Sequence, residues 1–438
     1  MCSGCGSCVG QSGAEARIEF DDYGQLQPYG DSGWQGPEAF PRTCPFSPLA
    51  ADEDDLAAEL YPEAPRYPTI GRFLSAHVGF AQTDGFRDRG SSGGMVSWVL
   101  EELLAKGLID GAAHVVPTDP ETGRHFRYRI SRTSEEIRQG AKSRYYPVDM
   151  AEILRTIRET PGRYAVVGVP CFIKAIQLLR REDPVIRERI AFTLGLFCGH
   201  MKSARFAESF AMQIGVPFSE VQAVDYRLKD PTRPASTYTA GITMRDGTFH
   251  KRDWWNLVDG DWGSGFFQYE ACNYCDDVIA ETADISFGDA WVEPYSSDGR
   301  GTNVIVTRSP VVNEIVQTAI DEGRLCLSPV DEEFIVQTQA AGFRQRREGL
   351  AYRLTWRKRG IRPRKRVAPA KPDSRRRMLI YRTRAFISRW SHRMFWLSRR
   401  MNNPAPYVRW GRAAVAFYHG FAYSRGKLGA FFDRIGLK

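Results

Sequence analysis

Beyond Ile70 the chain alternates short apolar runs with amphipathic stretches, the pattern of strands alternating with helices. Residues 73–80 read as a strand. Ser92-Gly93-Gly94 precedes an amphipathic run at 95–105, which Gly107 closes as a helix C′ glycine does. The pattern predicts a strand at 112–116, a polar hairpin-like stretch at 119–129 and a short helix at 134–138. A helix at 149–159 then leads to a strand at 165–169, a helix at 172–180 and a strand at 190–197. Near Gly215 the texture changes, and 237–244 and 248–254 flank the turn Arg245-Asp246-Gly247, an antiparallel signal. A further apolar strand ends in Gly288-Asp289. Residues 9–68, rich in Gly, Pro, Asp and Ala, carry little periodicity and predict a mostly irregular segment with one short helix at 51–60.

Charge divides the chain more sharply than it describes the whole. Residues 341–438 hold 27 Lys and Arg against three acids (Glu348, Asp373 and Asp433), a balance of +24 that leaves −16 for the rest of a chain whose net charge is +8. An acidic, enzyme-like body therefore carries a strongly basic extension. Residues 353–377, with Pro363, Pro369 and Pro372, read as a linker. After it, Phe386, Ile387, Trp390 and Met394 to Leu397 alternate with arginines at helical spacing, and 407–432 is helix-like and aromatic. A basic amphipathic helix suits an anionic membrane surface, an acidic partner or a nucleic acid, and here it could also close on the acidic body as a lid. With no recognised nucleic-acid motif beside the charge, a membrane surface or a partner is the expectation. No window approaches the roughly 18–20 uninterrupted apolar residues of a membrane span. With nine cysteines, no dense disulfide pattern and no secretory segment before Cys2, the expected setting is cytoplasmic, peripheral at the inner face of the membrane if the extension binds lipid.

The cysteines carry the chemistry. Cys2, Cys5 and Cys8 form a C-x2-C-x2-C run among small residues, and Cys44-Pro45 can add a fourth ligand from a distance. Soft thiolates suit iron–sulfur clusters and zinc alike, so a zinc-stabilised scaffold that holds a polyanion through the basic extension stands as the alternative. Cys171 and Cys198 fall at the ends of predicted strands, Cys272 and Cys275 form a CxxC, and Asp289 ends a strand close by. Ser92, Gly93 and Gly94 could cradle a phosphate at a helix start, or serve only as a cap and tight turn. Lys142-Ser143-Arg144-Tyr145 could hold a dinucleotide or flavin, or be an exposed loop. Tyr226-Arg227-Leu228-Lys229 and Lys251-Arg252 could face an anion or only solvent. No G-x-G-x-x-G points to a nicotinamide dinucleotide.

Taken in order, C-x2-C-x2-C, Ser-Gly-Gly-x-Val, Lys-Ser-Arg-Tyr, Val-Gly-Val-Pro-Cys, Leu-Phe-Cys, CxxC and Ala-Asp-Ile-Ser-Phe-Gly-Asp resemble the family of coenzyme F420 hydrogenase/dehydrogenase beta subunits. That group also includes plant 7-hydroxymethyl chlorophyll a reductase. The resemblance runs from Cys2 to about Val336 and implies an iron–sulfur flavoprotein that passes electrons between a deazaflavin (coenzyme F420), ferredoxin or another subunit, [4Fe-4S] clusters, FAD and a substrate. It implies one cluster on Cys2, Cys5, Cys8 and Cys44 and a second on Cys171, Cys198, Cys272 and Cys275, which leaves Cys326 over. FAD contacts are implied at Ser92, Gly93, Gly94, Lys142 and Ser143. Asp289 or Lys251 could assist proton delivery or bind substrate, although Asp289 could equally cap its strand or hold a loop. The chain departs from the family pattern in delaying its fourth cysteine to Cys44 and in reading Val-Pro-Cys where Thr-Pro-Cys is usual. The expected architecture is α/β: a ferredoxin-like Fe–S segment (1–68), a mixed or parallel-sheet flavin-binding core (69–214), an antiparallel β region with the second cluster site (215–340), a basic linker (341–377) and a basic helical extension (378–438).

Overall fold

Tyr164–Gly168 is buried at every residue, as a strand covered on both faces must be. In the computed structural model, which describes residues 1–356 and 363–434, it lies inside an eight-stranded sheet. The strand order is Leu325–Pro329, Ser75–Ala81, Asn303–Thr307, Ile285–Asp289, Ile190–Leu196, Tyr164–Gly168, Gly111–Pro117 and Phe126–Ser131. The four strands from Ile285–Asp289 to Gly111–Pro117 run parallel, and antiparallel strands flank them on both sides. The mixed sheet expected from the sequence is present, and it takes strands from both sides of residue 215.

Helices Met95–Ala105 and Pro310–Asp321 cover one face, meeting the sheet through Trp98, Val99, Leu103, Ile315 and Val316. Ala151–Glu159 and Pro170–Glu182 cover the other through Ile153, Leu154, Ile157, Phe172, Ile173 and Ile176, spaced at three and four residues as a buried helical stripe requires. The parallel strands aim their carboxyl ends at one edge, where open α/β sheets place their ligands. A separate antiparallel sheet, Val221–Asp225, Thr239–Met244 and Phe249–Asp253, forms as the turn at 245–247 predicts.

Two expectations need correction. Residues 16–30 are an ordered hairpin, Ala16–Phe20 with Leu26–Gly30; Asp21 Oδ1 fixes its turn by accepting from the amides of Tyr23 and Gln25. The basic stretch from 341 is not a linker either. It begins with helices Ala340–Arg346 and Glu348–Trp356, and of the linker's other residues 357–362 lie outside the described ones. Arg364, Lys365 and Arg366 then fold back onto the acidic body: Arg364 pairs with Asp52 and Asp55, Lys365 with Asp276, and Arg366 with Asp54 and Glu281. The excess charge that suggested a free extension is thus partly spent inside the molecule.

Helices Arg375–Arg400 and Ala405–Tyr423 belong to the same body. Ile380, Ile387, Phe395, Tyr407 and Phe421 share a core with Phe206, Phe210, Trp254, Phe266 and Phe267. His392 lies in this interface, its ring Nδ1 within 2.9 Å of the Ser388 carbonyl, and burial pushes its imidazole down to about 4. Burial does the same to His114 and His125. Between pH 6.5 and 4 the unfolded chain takes up protons that these folded rings refuse, so stability falls as pH drops through that window, by up to ~1.4 kcal/mol per pH unit for each ring. Thermal unfolding is expected to show a falling Tm across this range and a shallower fall in His392→Gln. An unchanged slope in that variant would contradict the assignment.

Candidate functional site

Three parallel strands deliver chemistry to the sheet's carboxyl edge. Tyr164–Gly168 hands over to Pro170, which starts helix Pro170–Glu182 with its φ already suited to a first turn, so Cys171 stands at the edge. Ile190–Leu196 ends two residues before Cys198, and Ile285–Asp289 ends on Asp289 itself. The turn Glu270–Tyr274 and its successor bring up Cys272 and Cys275.

These four thiols are neighbours. Burial, then repulsion by Cys275, Cys272 and Cys198, holds the Cys171 thiol well above its ordinary value. Burial likewise leads in pushing Cys198 up to about 12 and Cys272 up to about 11. The amide of Met201 donates to Cys272 Sγ at 3.3 Å.

A second gathering lies at the N-terminus. Gly4 and Gly6 take φ of +68° and +80°, and a Cβ would stand 2.7 Å from the Leu26 carbonyl oxygen and 2.9 Å from the Ala151 nitrogen, so only glycine lets the loop wrap this closely. Helix Phe40–Thr43 returns Cys44 to the loop, tied by Gln11 Nε2 donating to Thr43 Oγ1. Cys5 is raised by burial and by Cys8, Cys2 and Cys44; Cys8 is pushed up to about 12, burial again leading. The two gatherings adjoin: Cys44, Cys171 and Cys275 pack around Phe46, and Cys5 adds to the repulsion felt by Cys171.

Eight thiols in two adjoining sets of four, Cys5 and Cys275 buried and the others half-buried, suit a soft metal centre, an iron–sulfur cluster or zinc. Thiolates so placed need a strong local positive charge to coexist. Among the described residues, no three His, Cys, Asp or Glu side chains form a group that could hold one metal ion. Cys326 stands apart, exposed on an outer strand.

The nucleotide-like loops also meet. The amide of Ser143 donates to Ser91 Oγ at 2.8 Å. A Cβ on Gly93 would stand 2.6 Å from the Gly79 carbonyl oxygen, and one on Gly94, at φ +81°, 2.4 Å from the Phe86 carbonyl carbon. Close backbone packing thus accounts for both glycines, while Ser92 Oγ is buried without a partner among the described residues. Lys142 pairs with Asp225 and lines a cleft of about 410 Å³ with Arg89, Arg138, Arg144, His125 and Thr118. Within that lining, Arg144 Nε and His125 Nδ1 are buried and have no partner among the described residues. Glu101 holds Arg138 and Asp225 holds Lys142, while Arg89 and Arg144 have no acidic partner among the described residues; that remaining charge suits an anionic ligand. Arg89 and Arg138 stand three and four residues from the motifs at Ser92 and Lys142, but nothing in their own spacing marks them, and His125 joins them only through the fold; the cationic run at 142–144 is the signal the sequence carries.

Asp289 accepts from Arg227 Nη1 at 2.9 Å, and the guanidinium lies over the rings of Tyr238 and Trp291. Lys251 does not join it. It is exposed on the outer strand Phe249–Asp253, whose alternation turns its side chain to solvent. Tyr145 packs against Trp262 (4.9 Å between centroids), and Trp262 stacks on His200 (4.3 Å), two residues from Cys198. Aromatic contacts therefore run from Tyr145 through Trp262 to His200.

Two family models match the chain in tandem: the coenzyme F420 hydrogenase/dehydrogenase beta subunit N-terminal region over residues 76–155, and its C terminus over 162–333. The chain belongs to this family. Within the family region lie Cys171, Cys198, Cys272 and Cys275, whereas the N-terminal thiols precede it and residues from 334 onward follow it. Among curated relatives, one of the subunits of the F420H2 dehydrogenase of Methanosarcina mazei is 25% identical over 45% of this chain and 51% of its own length. The beta subunit of the coenzyme F420 hydrogenase of Methanothermobacter thermautotrophicus is 21% identical over 55% and 79%. The coenzyme F420-dependent sulfite reductase of Methanocaldococcus jannaschii is 26% identical over 53% and 35%. The chain thus spans about half the length of the first of these and about a third of the last. A chain of the F420-reducing [NiFe] hydrogenase complex of Methanosarcina barkeri shares the fold of this family member, with a TM-score of 0.52 at 18% identity over 68% of this chain and 99% of that one.

Proposed function

We propose that this member of the family is an iron–sulfur flavoprotein oxidoreductase linked to coenzyme F420. In this reading Cys2, Cys5, Cys8 and Cys44 hold one [4Fe-4S] cluster and Cys171, Cys198, Cys272 and Cys275 a second. Arg89, Arg138, Lys142 and Arg144, with Ser92 and Ser143 nearby, receive the phosphates of FAD. The observation that carries it is the pair of adjoining four-thiol groups in a chain that also holds a cationic cleft. The bound groups would supply one-electron and paired-electron transfer respectively. The chain's own residues position and insulate them: Phe46 fills the space between the thiol groups, and Arg227 fixes the orientation of the Asp289 carboxylate through Oδ2. Two relatives are a subunit of an F420H2 dehydrogenase and the beta subunit of a coenzyme F420 hydrogenase, which favours another subunit or the deazaflavin as electron partner. Anaerobic mixing with reduced coenzyme F420 tests the link. Oxidised coenzyme should appear while the protein's visible absorption bleaches; an iron-loaded, flavin-loaded protein that leaves the coenzyme reduced would remove the F420 assignment.

One surface favours a second statement, about location. On helix Arg375–Arg400, Phe386, Arg389, Trp390, Arg393, Leu397 and Arg400 form one exposed stripe at three- and four-residue spacing. Phe417 and Arg412 expose the same pairing of chemistries on the next helix. Arg389, Arg393, Arg400 and Arg412 have no acidic partner among the described residues. Exposed aromatics among unpaired arginines suit an anionic lipid surface. We expect full-length protein to float with phosphatidylserine vesicles at low salt and Phe386→Ser/Trp390→Ser to float less; equal flotation of both would remove the lipid assignment.

A further inference from the structure

The second thiol group is gripped by residues that follow the matched family region. Arg346, on helix Ala340–Arg346, is 3% exposed. Its Nη2 donates to the carbonyls of Cys198 (2.5 Å) and Gly199 (3.0 Å). Its Nε and Nη1 are buried and have no partner among the described residues. Arg353 Nε donates to the Asn273 carbonyl at 2.7 Å, inside the Cys272–Cys275 turn. Lys365 reaches Asp276, the residue after Cys275.

A guanidinium buried with two idle donors is costly unless an anion faces it. The groups its charge acts on most are Cys275, Cys198 and Cys272. The cations that meet the N-terminal thiol loop among the described residues differ from Arg346: Arg155 and Arg158 donate to the carbonyls of Val9 (3.0 Å) and Gly10 (2.7 Å), but both are only half-buried, and Arg158 is paired with Asp183. The two groups share a donor set but differ in their surrounding charge.

We propose that Arg346 is the fixed counter-charge of the second thiol group and makes it the site of higher reduction potential of the two. The proposal rests on reading both groups as cluster ligands. Taking up one electron adds one negative charge to a four-thiolate site, and a desolvated cation close by favours the more negative state. Electrons arriving at either group would then rest at the second. The cation lies beyond the matched family region, on helix Ala340–Arg346.

Redox titration of the anaerobic full-length holoprotein, followed by electron paramagnetic resonance, decides it. Wild type should give two waves, and Cys8→Ala, which removes a ligand of the first group, should keep the higher one. Arg346→Gln should move that higher wave alone to lower potential, while Arg346→Lys, which keeps the charge, should leave it near its wild-type position. The proposal is overturned if Arg346→Gln moves neither wave or both equally, or if the lower wave is the one that survives Cys8→Ala. Should Arg346→Gln lose its second cluster, seen as lost iron, the lysine variant decides alone: an unmoved higher wave supports the counter-charge and a fallen one overturns it. Wild-type protein without iron would instead remove the functional reading itself, so the two failures are distinct.

Discussion

Cys272→Ala is expected to lose about half of the protein's iron and most of its electron transfer, while the signal of the N-terminal cluster persists. Cys272 shares one buried space with Cys171, Cys198 and Cys275 and accepts from the Met201 amide; no other cysteine stands ready to replace it, since Cys326 is exposed on an outer strand. The N-terminal loop has its own supports, the glycines at Gly4 and Gly6 and the Gln11–Thr43 tie. Iron analysis and low-temperature resonance spectra of the variant check this. Retention of all iron would show that the second group is wrongly assigned, and loss of all of it would show that the groups do not assemble separately.

The next largest effect is expected from Arg366→Ala, a cost of about 3–5 kcal/mol in unfolding free energy. Arg366 Nη1 lies 2.6 Å from Glu281, whose side chain is 1% exposed, and the same guanidinium reaches Asp54 and the fully buried Asp276. Removing it strands acids that cannot regain water. Adding Glu281→Gln should recover part of the loss, because an amide costs less to bury alone than a carboxylate. Denaturant unfolding of wild type and both variants measures this; a change under about 0.5 kcal/mol, the scale of an ordinary surface substitution, would mean that the strap at 364–366 contributes little to holding the fold.

The parallel core was legible because Tyr164–Gly168 and Ile190–Leu196 are continuous apolar runs, and helix Met95–Ala105 because its periodicity and closing glycine agree. The cysteines were legible as sets because soft ligands at tight spacing have few other uses. The basic extension was misread because its composition resembles a free amphipathic segment, whereas its partners, Asp52 to Asp55 and Asp276 to Glu281, lie far away in the sequence. Lys251 was misjudged because a cation in a strand reveals its side only through the pairing of Phe249–Asp253 with Thr239–Met244. Arg346 gave no signal in an arginine-rich stretch; only its burial and idle nitrogens separate it from its neighbours. The glycines at 93 and 94 were read toward a ligand, yet their space is filled by Gly79 and Phe86.

The most direct test is the content of full-length protein purified without oxygen. About eight irons and as many acid-labile sulfides per chain, with one flavin and broad absorption near about 400 nm, is the predicted result. A colourless protein carrying stoichiometric zinc and no sulfide would contradict it.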